Sequence, residues 1–139
     1  MNIISEKDAT LLNPLWLAFV GDAVWQYNIR AVLLAGNPDN AHRAGEMHRT
    51  ATGYECANFQ GELFRAVEKD LTEAERDLVK RAKNAHNNNV PKSTTLSEYK
   101  RATALECLIG FWYLTGNTGK IDGLVGIAEK TKGAKKDVN

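Results

Sequence analysis

The 139-residue chain has few cysteines and prolines, two and three respectively, and its formal net charge is only +1. Cys56 and Cys107 stand far apart with no CxxC spacing, which excludes a disulfide scaffold and fits a reducing compartment. A charge near zero gives no global attraction to nucleic acid or membrane, so any polyanion would have to meet a local patch. The longest apolar run is interrupted by Asp22, short of the ~20 residues that a membrane span needs. The N-terminus is not signal-like, and the expectation is a soluble, cytoplasmic protein with no membrane partner. No stretch alternates polar and β-branched residues, which argues against strands. His42, His48 and His86 lack both zinc spacing and an identifiable Ser or Cys partner. With 43% hydrophobic and 25% charged residues, the chain can bury one sizeable core but is too short for two domains.

The pattern is helical from end to end, and the expected fold is an all-α helical bundle. Asn13 offers an N-cap with Pro14 at the first helical position, and the helix runs to about Leu34, where Gly36 stops it. Ala41 to about Lys69 reads as one helix or as two joined near Arg49 to Gly53. Thr72 with Glu75, and Thr95 with Glu98, each match the T-x-x-E capping box. Between these two starts, "HNNNVPKSTT", His86 to Thr95, reads as a loop. The helix after Thr95 runs to Gly116, and a short last helix spans Lys120 to Lys130. Residues 1–130 form the expected domain, and 131–139 a basic, frayed tail.

Asp22 lies in the middle of "LAFVGDAVWQYNI". At about 100° per residue it shares its helix face with Leu15, Ala18, Phe19, Trp25, Gln26, Ile29 and Leu33. Glu106 shares its face with Tyr99, Ala102, Thr103, Ile109, Gly110 and Tyr113 in the same way. A buried carboxylate is costly unless it is paired or bound to a cation. If the two helices pack, the acids meet, and their repulsion favours either a shared proton or a metal ion. Oxygen-only ligation favours Mg²⁺, with Mn²⁺ as a substitute. The structural alternative is that each acid pairs with an arginine such as Arg30 or Arg101.

These segments resemble a known family. "FVGDAVWQ" resembles the G-D-A-V signature of the ribonuclease III catalytic domain, and "TALECLIGFWYL" its second signature. "HRTATGYECANFQ" and "LVKRAKNAHNNNVPK" are similar to the H-R and A-x-x-Q helix and the basic segment of one subfamily, Mini-ribonuclease III. That subfamily is the nuclease domain without a double-stranded-RNA-binding domain. The likeness covers roughly Leu11 to Leu114, in one consistent order. Leu15, Ala18 and Thr103 stand where ribonuclease III carries further acids, which agrees with the subfamily. Gln26 replaces a common Glu, and Cys107 a common Ala.

The resemblance implies a ribonuclease III-type endonuclease that hydrolyses double-stranded RNA with metal-activated water, and maturation of the large-subunit (23S) ribosomal RNA precursor as its role. Asp22 and Glu106 would be the catalytic and metal-binding residues, with Gln26 and Thr103 supporting them. It also implies a symmetric homodimer, and a ribosomal protein is a candidate helper. His48 and Arg49, Lys80, Arg81 and Lys83, Lys92, and Lys100 with Arg101 are the candidate RNA contacts, since A-form RNA is bound through backbone and 2′-hydroxyl groups. Such charges also occur as plain solvated surface. Trp16, Trp25, Phe111, Trp112 and Tyr113 belong either to the core or to a subunit interface. A catalytically inactive RNA-binding scaffold is the competing reading. An all-α nucleotide pyrophosphohydrolase ranks behind it, because its repeated E-x-x-E pairs are missing.

Overall fold

The computed structural model describes residues 3–37, 42–85 and 90–138, with side chains to residue 135. Its regular elements are all helical: α1 (Glu6–Thr10), α2 (Pro14–Ala35), α3 (Ala44–Glu55), α4 (Ala57–Val67), a 3₁₀ turn (Glu68–Asp70), α5 (Glu73–Asn84), α6 (Leu96–Leu114) and α7 (Thr118–Val138). The expected all-α architecture is therefore the observed one.

Helix α6 is the hub of the bundle. Ala102 to Leu105 and Cys107 to Trp112 are all buried on it, and α2, α4 and α5 pack around it. A helix enclosed on every side has no polar stripe to offer, which explains its continuous apolar run. Helix α2 turns Leu17, Gly21, Trp25 and Ile29 inward at a spacing of four, the helical repeat of one face. Its start follows the sequence reading, with Asn13 accepting from the Leu15 N–H at 2.9 Å. Gly36 follows the last residue as expected.

Of the two capping boxes, only one closes. Thr72 accepts from the Glu75 N–H at 3.2 Å, and Glu75 accepts from the Thr72 N–H at 2.8 Å. Thr95 accepts from the Glu98 N–H at 3.1 Å, but the Glu98 carboxylate turns to Arg65 at 2.9 Å and Arg101 at 2.5 Å. Two cations outcompete one backbone amide for it. Glu75 carries a second network with its other oxygen. That oxygen accepts from Trp112 Nε1 at 2.5 Å and Lys120 Nζ at 2.8 Å, which ties α5 to α6 and α7.

Several boundaries differ from the sequence reading. The helix break falls at Cys56, whose extended backbone (φ −72, ψ 154) separates α3 from α4, and not between Arg49 and Gly53. A tertiary bond holds that elbow, since Trp25 Nε1 donates to the Tyr54 carbonyl at 2.9 Å. Helix α1 was not anticipated; Ser5 caps it, and Arg81 donates to its Thr10 carbonyl at 2.6 Å. Helix α7 continues to Val138, past the expected end at Lys130. Cation–π contacts support its extension, with Lys132 Nζ 4.3 Å from the Phe59 ring centre and 5.3 Å from that of Tyr54. Lys135 adds an ion pair to Glu62 at 2.8 Å. Such support does not show in apolar periodicity. Residues 90–95 are non-helical as expected, while 86–89, with His86, lie outside the described residues.

The aromatic residues divide. Trp25, Phe111 and Trp112 are core, Tyr113 is half-buried, and Trp16 stands exposed on α2 with Phe19 and Tyr27. Both cysteines are free thiols. Among the described residues, no helix is long and apolar enough to cross a membrane.

Candidate active site

Two glycines bring the acids together. A Cβ on Gly21 would lie 1.7 Å from the Glu106 carbonyl oxygen, and one on Gly110 would lie 2.0 Å from that of Leu17. No side chain fits at either place, so α2 and α6 cross with their backbones in contact. Asp22 follows Gly21, and Glu106 stands one turn before Gly110. The crossing therefore sets the two carboxyl groups side by side, hydrogen-bonded to each other.

They face a cleft of about 390 Å³. Asp22, Phe19, Ala18 and Leu15 come from α2; Glu106, Thr103, Ala102 and Tyr99 from α6; and Glu55, Ala57 and Gln60 from the α3–α4 elbow. Burial, then the hydrogen bond to Asp22 and its charge, push the Glu106 carboxyl up to about 9. Near neutral pH the pair therefore keeps one proton unless a cation takes its place. Gln26 donates to Asp22 Oδ1 at 3.1 Å and fixes that carboxylate from one turn along α2. Thr103 lines the cleft, but its hydroxyl is committed to the Tyr99 carbonyl at 3.0 Å.

The donor set fits a hard divalent cation. It consists of adjacent carboxylates in an open, polar cleft, leaving room for water at the remaining positions. Among the described residues, no group of three or more His, Cys, Asp or Glu side chains converges as a metal cage. Asp22 and Glu106 are thus the residues that would hold the ion.

The basic candidates separate in space. Lys100 and Arg101 flank the cleft-lining Tyr99 and Ala102 on α6, although Arg101 is engaged by Glu98. Lys92 is exposed in a segment stitched to α4, where the Asn58 amide donates to the Ser93 carbonyl at 3.3 Å and Thr94 donates to Asn58 at 2.6 Å. Lys80 is exposed on α5, and Arg81 is held by Asp77 and the end of α1. Lys83 lies 4.5 Å over the Phe64 ring and 4.0 Å from Glu68. His48 and Arg49 on α3 line other cavities, and neither lines the cleft of the acids. Arg49 lines a larger cavity, of about 540 Å³, between α2, α3 and α7. That cavity has His42 paired with Glu46 at 3.2 Å, but it lacks the twin carboxylates. Sequence reasoning missed Glu55 and Gln60 as cleft residues. Gln60 stood in the A-x-x-Q segment, whereas nothing local marked Glu55.

The ribonuclease III domain model matches residues 15–117, which span both acids and the whole cleft. The chain belongs to the ribonuclease III domain family, in its Mini-ribonuclease 3 branch. It is 34% identical over 119 residues to Mini-ribonuclease 3 of Brevibacillus brevis, covering 86% of this chain and 87% of the relative. With that of Desulfitobacterium hafniense it shares 36% over 129 residues, covering 88% and 80%. A crystal structure of a Fusobacterium nucleatum protein matches with a TM-score of 0.77 at 34% identity, covering 85% of this chain and 93% of the other. For a Mini-ribonuclease 3 the two glycines acquire a clear role: each signature carries the small residue that lets its acid reach the other.

Proposed function

We propose that this Mini-ribonuclease 3 is a divalent-metal-dependent endonuclease of double-stranded RNA, with Asp22 and Glu106 as its catalytic acids and large-subunit ribosomal RNA precursor as its substrate. The observation that carries the reading is the hydrogen-bonded Asp22–Glu106 pair at the Gly21–Gly110 crossing, inside the segment that matches the family. A Mg²⁺ ion bound there would supply Lewis-acid activation of the phosphate and of the attacking water.

The chain's own residues do the rest. Glu106 would give up its proton to hold the ion, and Asp22, its carboxylate steadied by Gln26, would be the other acid that holds it. The open cleft admits a backbone phosphate, and no side-chain nucleophile is required. Lys92 and Lys100 are the cations we assign to an A-form backbone lying over the cleft, and among the described residues no carboxylate forms an ion pair with either. Trp16, Phe19 and Tyr27 give α2 an exposed apolar face beside the cleft. A second copy covering that face would produce a homodimer with a site for each strand. A cytoplasmic setting suits the free thiols and the bacterial sources of the relatives.

The test is cleavage of a labelled RNA duplex by wild type and Asp22→Asn, in Mg²⁺ and in EDTA. Cutting that needs both the metal and Asp22 is the expected result. A folded, dimeric wild type that cuts no duplex, precursor stems included, would overturn the reading in favour of an inactive RNA-binding scaffold.

A further inference from the structure

The start of α4 forms a wall of the cleft that holding a cation leaves without a purpose. Helix α4 begins at Ala57 after the extended Cys56, and no side chain caps it. First-turn N–H groups have no partner within a helix, and the N-terminus carries partial positive charge. Ala57 lines the cleft, and one turn along so does Gln60. Gln60 is 2% exposed, yet its amide nitrogen has no hydrogen-bond partner. A buried donor left open in a polar cleft points to an acceptor that arrives with a ligand. Neither Asp22 nor Glu106 satisfies it. Glu55, which would repel an anion here, is paired with Arg30 at 3.3 Å.

The cleft thus has two chemical characters. Its α2–α6 side offers carboxylate oxygens, and its α4 side offers N–H donors. A free anion would be repelled by the first, and a cation gains nothing from the second. A phosphodiester bridged to the carboxylates by a cation presents a second non-bridging oxygen, and that atom suits the donors. We propose that the uncapped N-terminus of α4 and the Gln60 side-chain amide form an oxyanion subsite for a phosphate of the RNA duplex. The proposal rests on the nuclease reading above and assigns Gln60 a direct substrate contact.

Gln60→Met tests it, because Met keeps the length of the side chain and removes the donor. Removing an unpaired buried donor should leave the melting temperature at or above that of wild type. Duplex affinity, measured with Ca²⁺ in place of Mg²⁺ to hold back cutting, should fall by about tenfold, the value of one charge-assisted hydrogen bond. In the cleaving enzyme, sulfur in place of the non-bridging oxygen that faces Gln60 should slow wild type more than Gln60→Met. A purely structural residue would not move that ratio. Unchanged affinity together with an unchanged sulfur penalty would overturn the subsite. If the variant fails to fold, the Gln60 side-chain amide resonance of wild type decides: it shifts when duplex is added with Ca²⁺ in place of Mg²⁺ if the subsite exists, and its constancy would refute it. A wild type that cuts no duplex is a separate outcome, which removes the nuclease reading itself.

Discussion

Glu106→Gln should make the metal-free protein more stable, by an amount that grows with pH. Burial, and then Asp22, raise the Glu106 carboxyl from its ordinary 4.5 to about 9. Within that window the folded protein holds a proton that the unfolded chain has released. Stability is therefore fully present below the unfolded value and is lost as pH rises toward the folded one. The slope is at most about 1.4 kcal/mol per pH unit, so the ceiling over the window is about 6 kcal/mol. The cleft is open and the side chain only partly enclosed, so solvent screening reduces this to about 2–3 kcal/mol. Glutamine has the same shape, donates to Asp22 as the protonated acid does, and does not titrate. Urea unfolding in EDTA at matched protein concentration, at about pH 6 and about pH 8, should show the advantage of the variant widening by about 1–2 kcal/mol. A gap that stays constant with pH would refute a shared proton between Asp22 and Glu106. Mg²⁺ should reverse the order, since an ion at 100 times its dissociation constant adds about 2.7 kcal/mol to wild type and little to the variant. Its affinity for wild type should also rise with pH up to about 9, because binding displaces the proton.

Other perturbations test the scaffold and the surface. Asp22→Asn should fold normally by circular dichroism and lose duplex cleavage by at least about a hundredfold, as a metal ligand is removed from a pair that gains by losing a charge. Gly21→Ala should cost about 3 kcal/mol or prevent folding, since its Cβ meets the Glu106 carbonyl; thermal melting checks it. Glu75→Ala should cost about 3–5 kcal/mol by leaving Trp112 and Lys120 unpaired, a loss that calorimetry would register. Burial pushes the Glu75 carboxyl up, but bonds from Lys120, Thr72 and Trp112 outweigh it and hold it below the ordinary range. Its contribution is thus present at neutral pH and lost as pH falls through that lowered value. Lys92→Ala with Lys100→Ala should weaken duplex binding and lower its salt slope by about two, whereas Lys80→Ala with Lys83→Ala should change the slope less.

The helical class, most helix starts and the meeting of Asp22 with Glu106 were legible along the chain. A cap needs only neighbouring residues, and an acid on an apolar face is visible from periodicity alone. The Asn13 and Thr72 caps stand where their local patterns place them. Asp22 and Glu106 stood out because burial of a lone carboxylate demands a partner. Thr95–Glu98 shows the limit of local reading: the same four-residue pattern lost its second bond to Arg65 and Arg101. The basic cluster shows it too, since Arg81 and Arg101 are spent on α1 and Glu98.

By itself the sequence determined that the chain is helical, that Asp22 and Glu106 each share a helix face with core residues such as Trp25, Ile29 and Ile109, and to which family it belongs. These properties follow from hydrogen bonds and periodicity within a few turns, and from motifs in order. Tertiary structure alone decided that Gly21 and Gly110 press two backbones together, that Glu106 keeps a proton, and that an elbow at Cys56 carries Glu55 and Gln60 into the same cleft. It also decided that α7 runs on over Tyr54 and Phe59 and that Trp16, Phe19 and Tyr27 face outward. Proton affinity, an orphaned donor and an uncovered face all depend on which groups approach from distant parts of the chain, and only the packed bundle fixes those neighbours.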